Sequence, residues 1–353
     1  MTSRIITVTY DPIHNIQLDA HIPLTTNTKD GEVKSLPAVV AFHGGGLVAG
    51  SKDDAYFPKD LAAKFLSQNV IFISPNYRLL YPSTGVDILQ DIHTLFDYLS
   101  LPSSELTHQL AQHGIALDRG KIGVIGFSGG NCPAKLAAFL PTINPFTRPK
   151  VYFDLYGMAG DFLLDHWVSI KPENQYVPDI PFFEDKVQTI LNNPKYRTEK
   201  WGLSEAHLGA NGDEEGRMGL FVWFINQGNI LDYLLDEPGL SARLREVPYD
   251  RRSALLSDEQ RRILGILPTT LGGGSAPPTI IVHGENDRVV PIEESFRLYD
   301  DLKEIEGGKV EKIWVKDAGH GLFVDGDWPR FIDGIDGIME KGVEFVMREL
   351  NGA

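Results

Sequence analysis

The chain has 353 residues, 42% hydrophobic and 23% charged, and its 48 acidic against 33 basic side chains give a formal net charge of −15. That balance excludes a disordered or collagen-like chain and opposes association with nucleic acid or an anionic membrane surface, so a small molecule is the expected partner. A single cysteine, Cys132, rules out an intramolecular disulfide; with no secretory leader and no run of 18 apolar residues visible, a cytoplasmic protein without a membrane span is expected.

In chain order, "IITVTY" and "IQLDAHIP" alternate apolar and polar residues and predict two antiparallel strands at a sheet edge. "LPAVVAFHGGG" is a near-continuous apolar run, the pattern of a strand buried on both faces of a parallel sheet. Residues 54–68 follow as a helix with Ala55, Leu61, Ala62, Phe65 and Leu66 on its apolar side. "VIFISPNYRLL", "KIGVIGFS" and "KVYFDLYGM" are further buried strands, separated by helical spacing in "VDILQDIHTLFDYL" and "PAKLAAFL". Strands alternating with helices imply crossover connections and a mainly parallel sheet.

The rhythm stops after residue 160. From 161 to about 275 no buried-strand signal occurs, aromatics are dense (Phe162, Trp167, Phe182, Phe183, Tyr196, Trp201, Trp223, Phe224), and the segments around "LFVWFINQGNILDYLL" and "LSDEQRRILGIL" read as helices. Past the glycine- and proline-rich "LGGGSAPP" the alternation resumes with "TIIVHGENDRVVP", a helix over 293–304, the strand of "VEKIWVKDAGHG" and a final helix through Leu350. The expected organisation is an α/β core in two parts, 1–160 and 276–353, carrying a helical cap at 161–275.

Three short motifs carry chemistry. "GFSGG" fits G-x-S-x-G between a strand and a helix, where a strained turn would lift Ser128 above the sheet and Gly126 and Gly130 would leave room for it. Its glycines do not form G-x-G-x-x-G, which disfavours a dinucleotide site. "HGGG", residues 43–46, offers backbone N–H groups unobstructed by side chains, suited to a developing oxyanion. "HGENDRVVP" supplies Asp287 with Glu285 as a rival carboxylate, Asp154 is a more distant rival, and "DAGHGL" supplies His320 after the last strand. The order Ser128, Asp287, His320 is the one that a nucleophile, acid and base follow on such a scaffold.

On these motifs the sequence resembles the α/β-hydrolases, in particular the hormone-sensitive-lipase-like and carboxylesterase branch. The resemblance implies a mainly parallel central sheet flanked by helices, with the cap inserted before the acid-bearing strand. It also implies a Ser128–His320–Asp287 triad and an oxyanion hole from Gly45, Gly46 and Gly129, with His43 organising the loop. Tyr77 and Arg78 of "NYRLL", with Asp91, would stiffen the core. "GFSGGN" departs from the branch's common "GDSAGG", which loosens inference about substrate. The expected activity is cleavage of a carboxylic ester with a small apolar or aromatic part, without cofactor or metal. Alternatives are acyl transfer, cyclisation or elimination in a biosynthetic pathway, hydrolysis of a small amide or peptide, and a ligand receptor on the same fold. Cys132 lacks a base partner and reads as a small buried hydrophobe. Oligomeric state is not legible.

Overall fold

Eight strands form one sheet in the order β1-β2-β4-β3-β5-β6-β7-β8. The computed structural model describes residues 3–24, 33–158, 160–171, 184–193, 203–208, 216–267, 269–305, 307–327 and 329–352. Strands β1 (Ser3–Asp11) and β2 (Ile16–Pro23) pair antiparallel, as their alternation predicts, and β2 runs antiparallel to β4 (Ile71–Pro75). All later pairings are parallel: β4 with β3 (Lys34–Phe42), β3 with β5 (Ile115–Phe127), then β6 (Val151–Leu155), β7 (Thr279–Gly284) and β8 (Val310–Val315).

Both faces of the central strands are covered, which is why they read as unbroken apolar runs. Along β3, Ala38, Val40 and Phe42 enter one core while Val39 and Ala41 enter the other. The first core holds the apolar sides of helices Gly85–Ser100, Asn131–Phe139 and Glu293–Glu304; the second holds those of Lys59–Ser67 and Ile335–Asn351. Arg78 ties one helix to the sheet: its Nε and backbone N–H each donate at 2.7 Å to Asp91, and a terminal nitrogen reaches Asp87 at 2.9 Å. That buried cluster is the stiffening expected of "NYRLL".

Two boundaries differ from the sequence reading. The first helix begins at Lys59 rather than 54, because Asp54 instead accepts the backbone N–H groups of Ser51 and Tyr56 and closes a turn ahead of Pro58. Strand β5 begins at Ile115, six residues before "KIGVIGFS", and pairs Lys34 through Leu36 with Ile115 through Leu117 before a register shift. A helix at Glu105–Gln112, capped by Ser104, had no counterpart in the reading.

Between β6 and β7 the described residues form short helices and no strand of the main sheet. Gly228, at φ 56°, splits the expected "LFVWFINQGNILDYLL" helix into Arg217–Gln227 and Ile230–Leu234. A capping box at Ser257 and Gln260 starts the helix Asp258–Ile263. Phe162, Trp167 and Phe224 are fully buried, and Trp223 is partly buried; Phe182, Phe183, Tyr196 and Trp201 lie outside the described residues.

Candidate active site

Chain order in the sheet decides where the motifs meet. After β3 the chain moves to β4 on one side and returns through β5 on the other, so β3 and β5 are parallel neighbours at a point where the winding direction reverses. Loops leaving the carboxyl ends of two such strands splay apart and form a crevice. Because Phe42 stands opposite Gly126, "HGGG" and "GFSGG" emerge side by side.

Ser128 follows β5 directly with φ 50°, a left-handed conformation that is costly for a residue with a Cβ. Close approach explains its glycine neighbours. A Cβ on Gly130 would lie 2.2 Å from the His43 carbonyl oxygen, and one on Gly126 would lie 2.4 Å from the Asn131 Cα. A Cβ on Gly129 would fall 2.6 Å from the Leu47 nitrogen and 2.8 Å from that of Gly46, so elbow and loop are in backbone contact.

Asp287 and His320 reach the same crevice from β7 and β8. His320 Nε2 lies 2.9 Å from Ser128 Oγ, and its Nδ1 lies 2.7 Å from Asp287 Oδ2. The Val289 and Val290 N–H groups donate to Asp287 Oδ1, both at 2.9 Å. Burial works against ionisation of Asp287, but the neighbouring His320 and the hydrogen bond with His283 prevail and hold the carboxyl well below the usual range. Asp287 is buried, whereas Glu285 is exposed. Asp154 is also buried; it accepts the Gly157 N–H at 3.1 Å and the Tyr152 hydroxyl at 3.4 Å, filling the packing role expected of a mid-strand carboxylate. Ser128 keeps only 8% exposure while the His320 side chain keeps 25%, so the imidazole is the wetter of the two.

The loop opposite is built as a rigid turn. Val48 and Ala49 both donate to the Gly45 carbonyl at 3.0 Å, and Gly45 and Gly46 have φ of 97° and 61°. The His43 ring stacks on Tyr77 with centroids 4.4 Å apart, the Tyr77 hydroxyl donates to the His43 carbonyl at 2.9 Å, and burial pulls the imidazole down to about 4. His43 is therefore neutral and structural at physiological pH. Burial likewise pushes the Cys132 thiol up to about 12, as befits a small buried hydrophobe.

Several side chains at the site carried no sequence signal of their own. Fully buried Arg217, from the helical segment after β6, donates to the carbonyls of Val48, Leu80 and Tyr81 at 2.6, 3.0 and 2.6 Å. One helical turn on, the Phe221 ring covers Gly46 so closely that a Cβ there would lie 2.4 Å from it. Tyr156, at φ 42°, sets its ring edge-on to His320, with centroids 5.4 Å apart. His283 opens the "HGENDRVVP" stretch that the reading used only for its carboxylates.

Elsewhere, Asp11, His14 and Asp91 hold ligand-type atoms within 4.8 Å of one another. The Arg78 guanidinium bonds Asp91 and reaches to 3.5 Å from His14 Nε2, so it supplies the positive charge that a metal ion would bring. Among the described residues no helix is long and apolar enough to cross a membrane.

The sheet order, with Ser128 after β5, Asp287 after β7 and His320 after β8, is that of the α/β-hydrolase fold. The family model BD-FAE matches residues 24–155, and the prolyl oligopeptidase family model matches residues 249–328. The chain is 24% identical to a probable carboxylesterase M8 of Phoma sp., over 91% of each protein. It is 26% identical to the non-reducing polyketide synthase Preu6 of Preussia isomera over 88% of this chain, which spans 13% of that synthase. An α/β hydrolase superfamily protein from Enterococcus faecalis superposes with a TM-score of 0.56 at 16% identity, covering 98% of this chain and 99% of the other.

Proposed function

We propose that the protein is a serine carboxylic ester hydrolase working through an acyl-enzyme. The observation that carries this reading is the unbroken hydrogen-bond chain from Ser128 through His320 to Asp287, each residue held at the carboxyl end of a parallel strand. His320 takes the Ser128 proton as Oγ attacks the ester carbonyl, and Asp287 orients the imidazole and stabilises its charged form. The N–H groups of Gly45, Gly46 and Gly129 stabilise the tetrahedral oxyanion. His320 then protonates the leaving alcohol, and water releases the acid by the same steps in reverse order.

Residues 161–275 act in this reading as a cap over a pocket for a small apolar or aromatic group, in a cytoplasmic enzyme that uses no cofactor. The relative named a probable carboxylesterase, similar over nearly the whole chain, supports the ester as the scissile bond. Ser128→Ala abolishes turnover of a short-chain aryl ester and labelling by a serine-reactive phosphonate; retained turnover overturns the assignment. A second reading, acyl transfer to an acceptor other than water, is favoured by the similarity to a segment of a polyketide synthase. Product mass decides between them: free acid as sole product in the presence of alcohols and amines supports hydrolysis.

A further inference from the structure

Asp287 is held by more than its partner in the triad. His283, the second-last residue of β7, is completely buried, and its Nε2 lies 3.2 Å from Asp287 Oδ2 and 2.9 Å from the Val290 carbonyl oxygen. Its Nδ1 lies 2.7 Å from the hydroxyl of Ser295, a buried residue in the first turn of helix Glu293–Glu304. A carbonyl and an ionised carboxylate can only accept, so Nε2 must carry the proton. The serine hydroxyl is the one neighbour able to donate to Nδ1 of the neutral ring or accept from it once charged. Both ring nitrogens are therefore committed, and the tautomer is fixed from outside.

We infer that His283, set by Ser295, is a positioning residue for the acid: it fills the remaining lone-pair direction of the carboxylate oxygen that receives the His320 proton donor. Asp287 then has three N–H groups bonded to it, two on Oδ1 and that of His320 on Oδ2, with the His283 Nε2–H, shared with the Val290 carbonyl, 3.2 Å from Oδ2. A carboxylate so surrounded cannot rotate without breaking several bonds, and its electron density is shared between two imidazoles. Its pull on the His320 Nδ1 proton is thereby moderated, which limits how far it raises the basicity of Nε2, the nitrogen that exchanges a proton with Ser128. The charged groups facing His283 are Asp287 from its own loop and Asp154 from β6; burial pulls its basicity down, and these carboxylates outweigh burial and raise it. In either charge state the Nε2 proton stays in place.

This inference rests on the proposed Ser128 chemistry and is tested with the full chain, counting competent sites by phosphonate labelling. His283→Leu removes the extra donor, so Asp287 binds the His320 proton more tightly. The acid limb of the kcat/KM profile moves up by about half a pH unit, and kcat per labelled site falls about tenfold while KM holds. His283→Gln, which keeps an N–H near the Nε2 position, returns the limb toward that of the unsubstituted protein. A limb unmoved in His283→Leu overturns the inference, since packing alone would change the number of competent sites and not their titration. Should that variant fail to fold, the 15N spectrum of the histidine-labelled protein decides: an Nε2-protonated ring across the active pH range is expected, and an Nδ1-protonated neutral ring overturns it. Loss of labelling in the unsubstituted protein would sink the ester-hydrolase reading while leaving this spectrum as it is.

Discussion

Replacing Arg217 by Met tests whether the glycine loop is held by the helical segment that follows β6. The substitution keeps the aliphatic stem and strands the buried carbonyls of Val48 and Leu80 and the part-buried carbonyl of Tyr81. A hydrogen bond to a charged donor contributes about 1.5–3 kcal/mol, and release of a buried guanidinium returns part of it, leaving roughly 1–1.5 kcal/mol for each orphaned acceptor. Three acceptors give about 3–5 kcal/mol of lost stability. With an unfolding entropy of about 2.1 cal/mol/K per residue, 353 residues correspond to about 0.7 kcal/mol/K, and the midpoint falls by about 4–7 °C. Calorimetry reads that shift. Val48 is hydrogen-bonded to Gly45, so the loop loosens as well, and kcat for an aryl ester, normalised to labelled Ser128, falls by at least about tenfold. An unchanged kcat per labelled site would refute the idea that Arg217 holds the glycine loop in register, and an unchanged midpoint would refute the energetic argument.

Three further outcomes are expected. Asp287→Asn lowers kcat by about 10⁴ and slows phosphonate labelling in parallel, measured by burst and steady-state kinetics, because the amide favours the wrong His320 tautomer. Gly129→Ala drives a Cβ against backbone nitrogens 2.6 and 2.8 Å away, and the ester assay registers a loss of about 10²–10³ in kcat. Glu294, which accepts from the Trp167 indole and the Asp161 N–H, is pushed by burial up to about 7 from 4.5. Over that window the folded chain binds a proton that the unfolded chain has released, so this group makes stability fall as pH rises. Urea unfolding of Glu294→Gln at several pH values shows a shallower decline than the unsubstituted protein, and parallel curves would contradict the assignment.

Strands β3, β5 and β7 were legible because their central residues are buried on both faces, and burial of that kind leaves an apolar run; β8, at the sheet edge, is partly exposed and was legible by its place in the alternation of strands and helices. Ser128 and His320 were legible because each stands beside glycine just past a strand, and Asp287 because it follows the buried run of β7 and its closing Gly284 by three residues. What escaped was set by packing rather than pattern. Arg217 lies on a helix whose local sequence gives no sign that its guanidinium crosses to three loop carbonyls. Ser295 occupies an ordinary helical position and matters only because β7 lies beneath it. Strand β5 began early because the pairing of Lys34 with Ile115 extends β3 backwards, a tertiary contact that no window of local sequence contains.

The wide sequence separation of the reacting groups has a consequence for how activity arises during folding. Ser128 and His320 stand 192 residues apart, and the strands preceding Asp287 and His320 are the last two in the chain and the outermost two at one edge of the sheet. Contacts of such long range come late, after most of the loop-closure entropy has been spent. A chain with β1 through β6 in place would possess its strained serine but no base beside it, and would be chemically silent. Reaction of Ser128 with a phosphonate during refolding is therefore a clock for docking of the final strands, one that no partly assembled sheet can start.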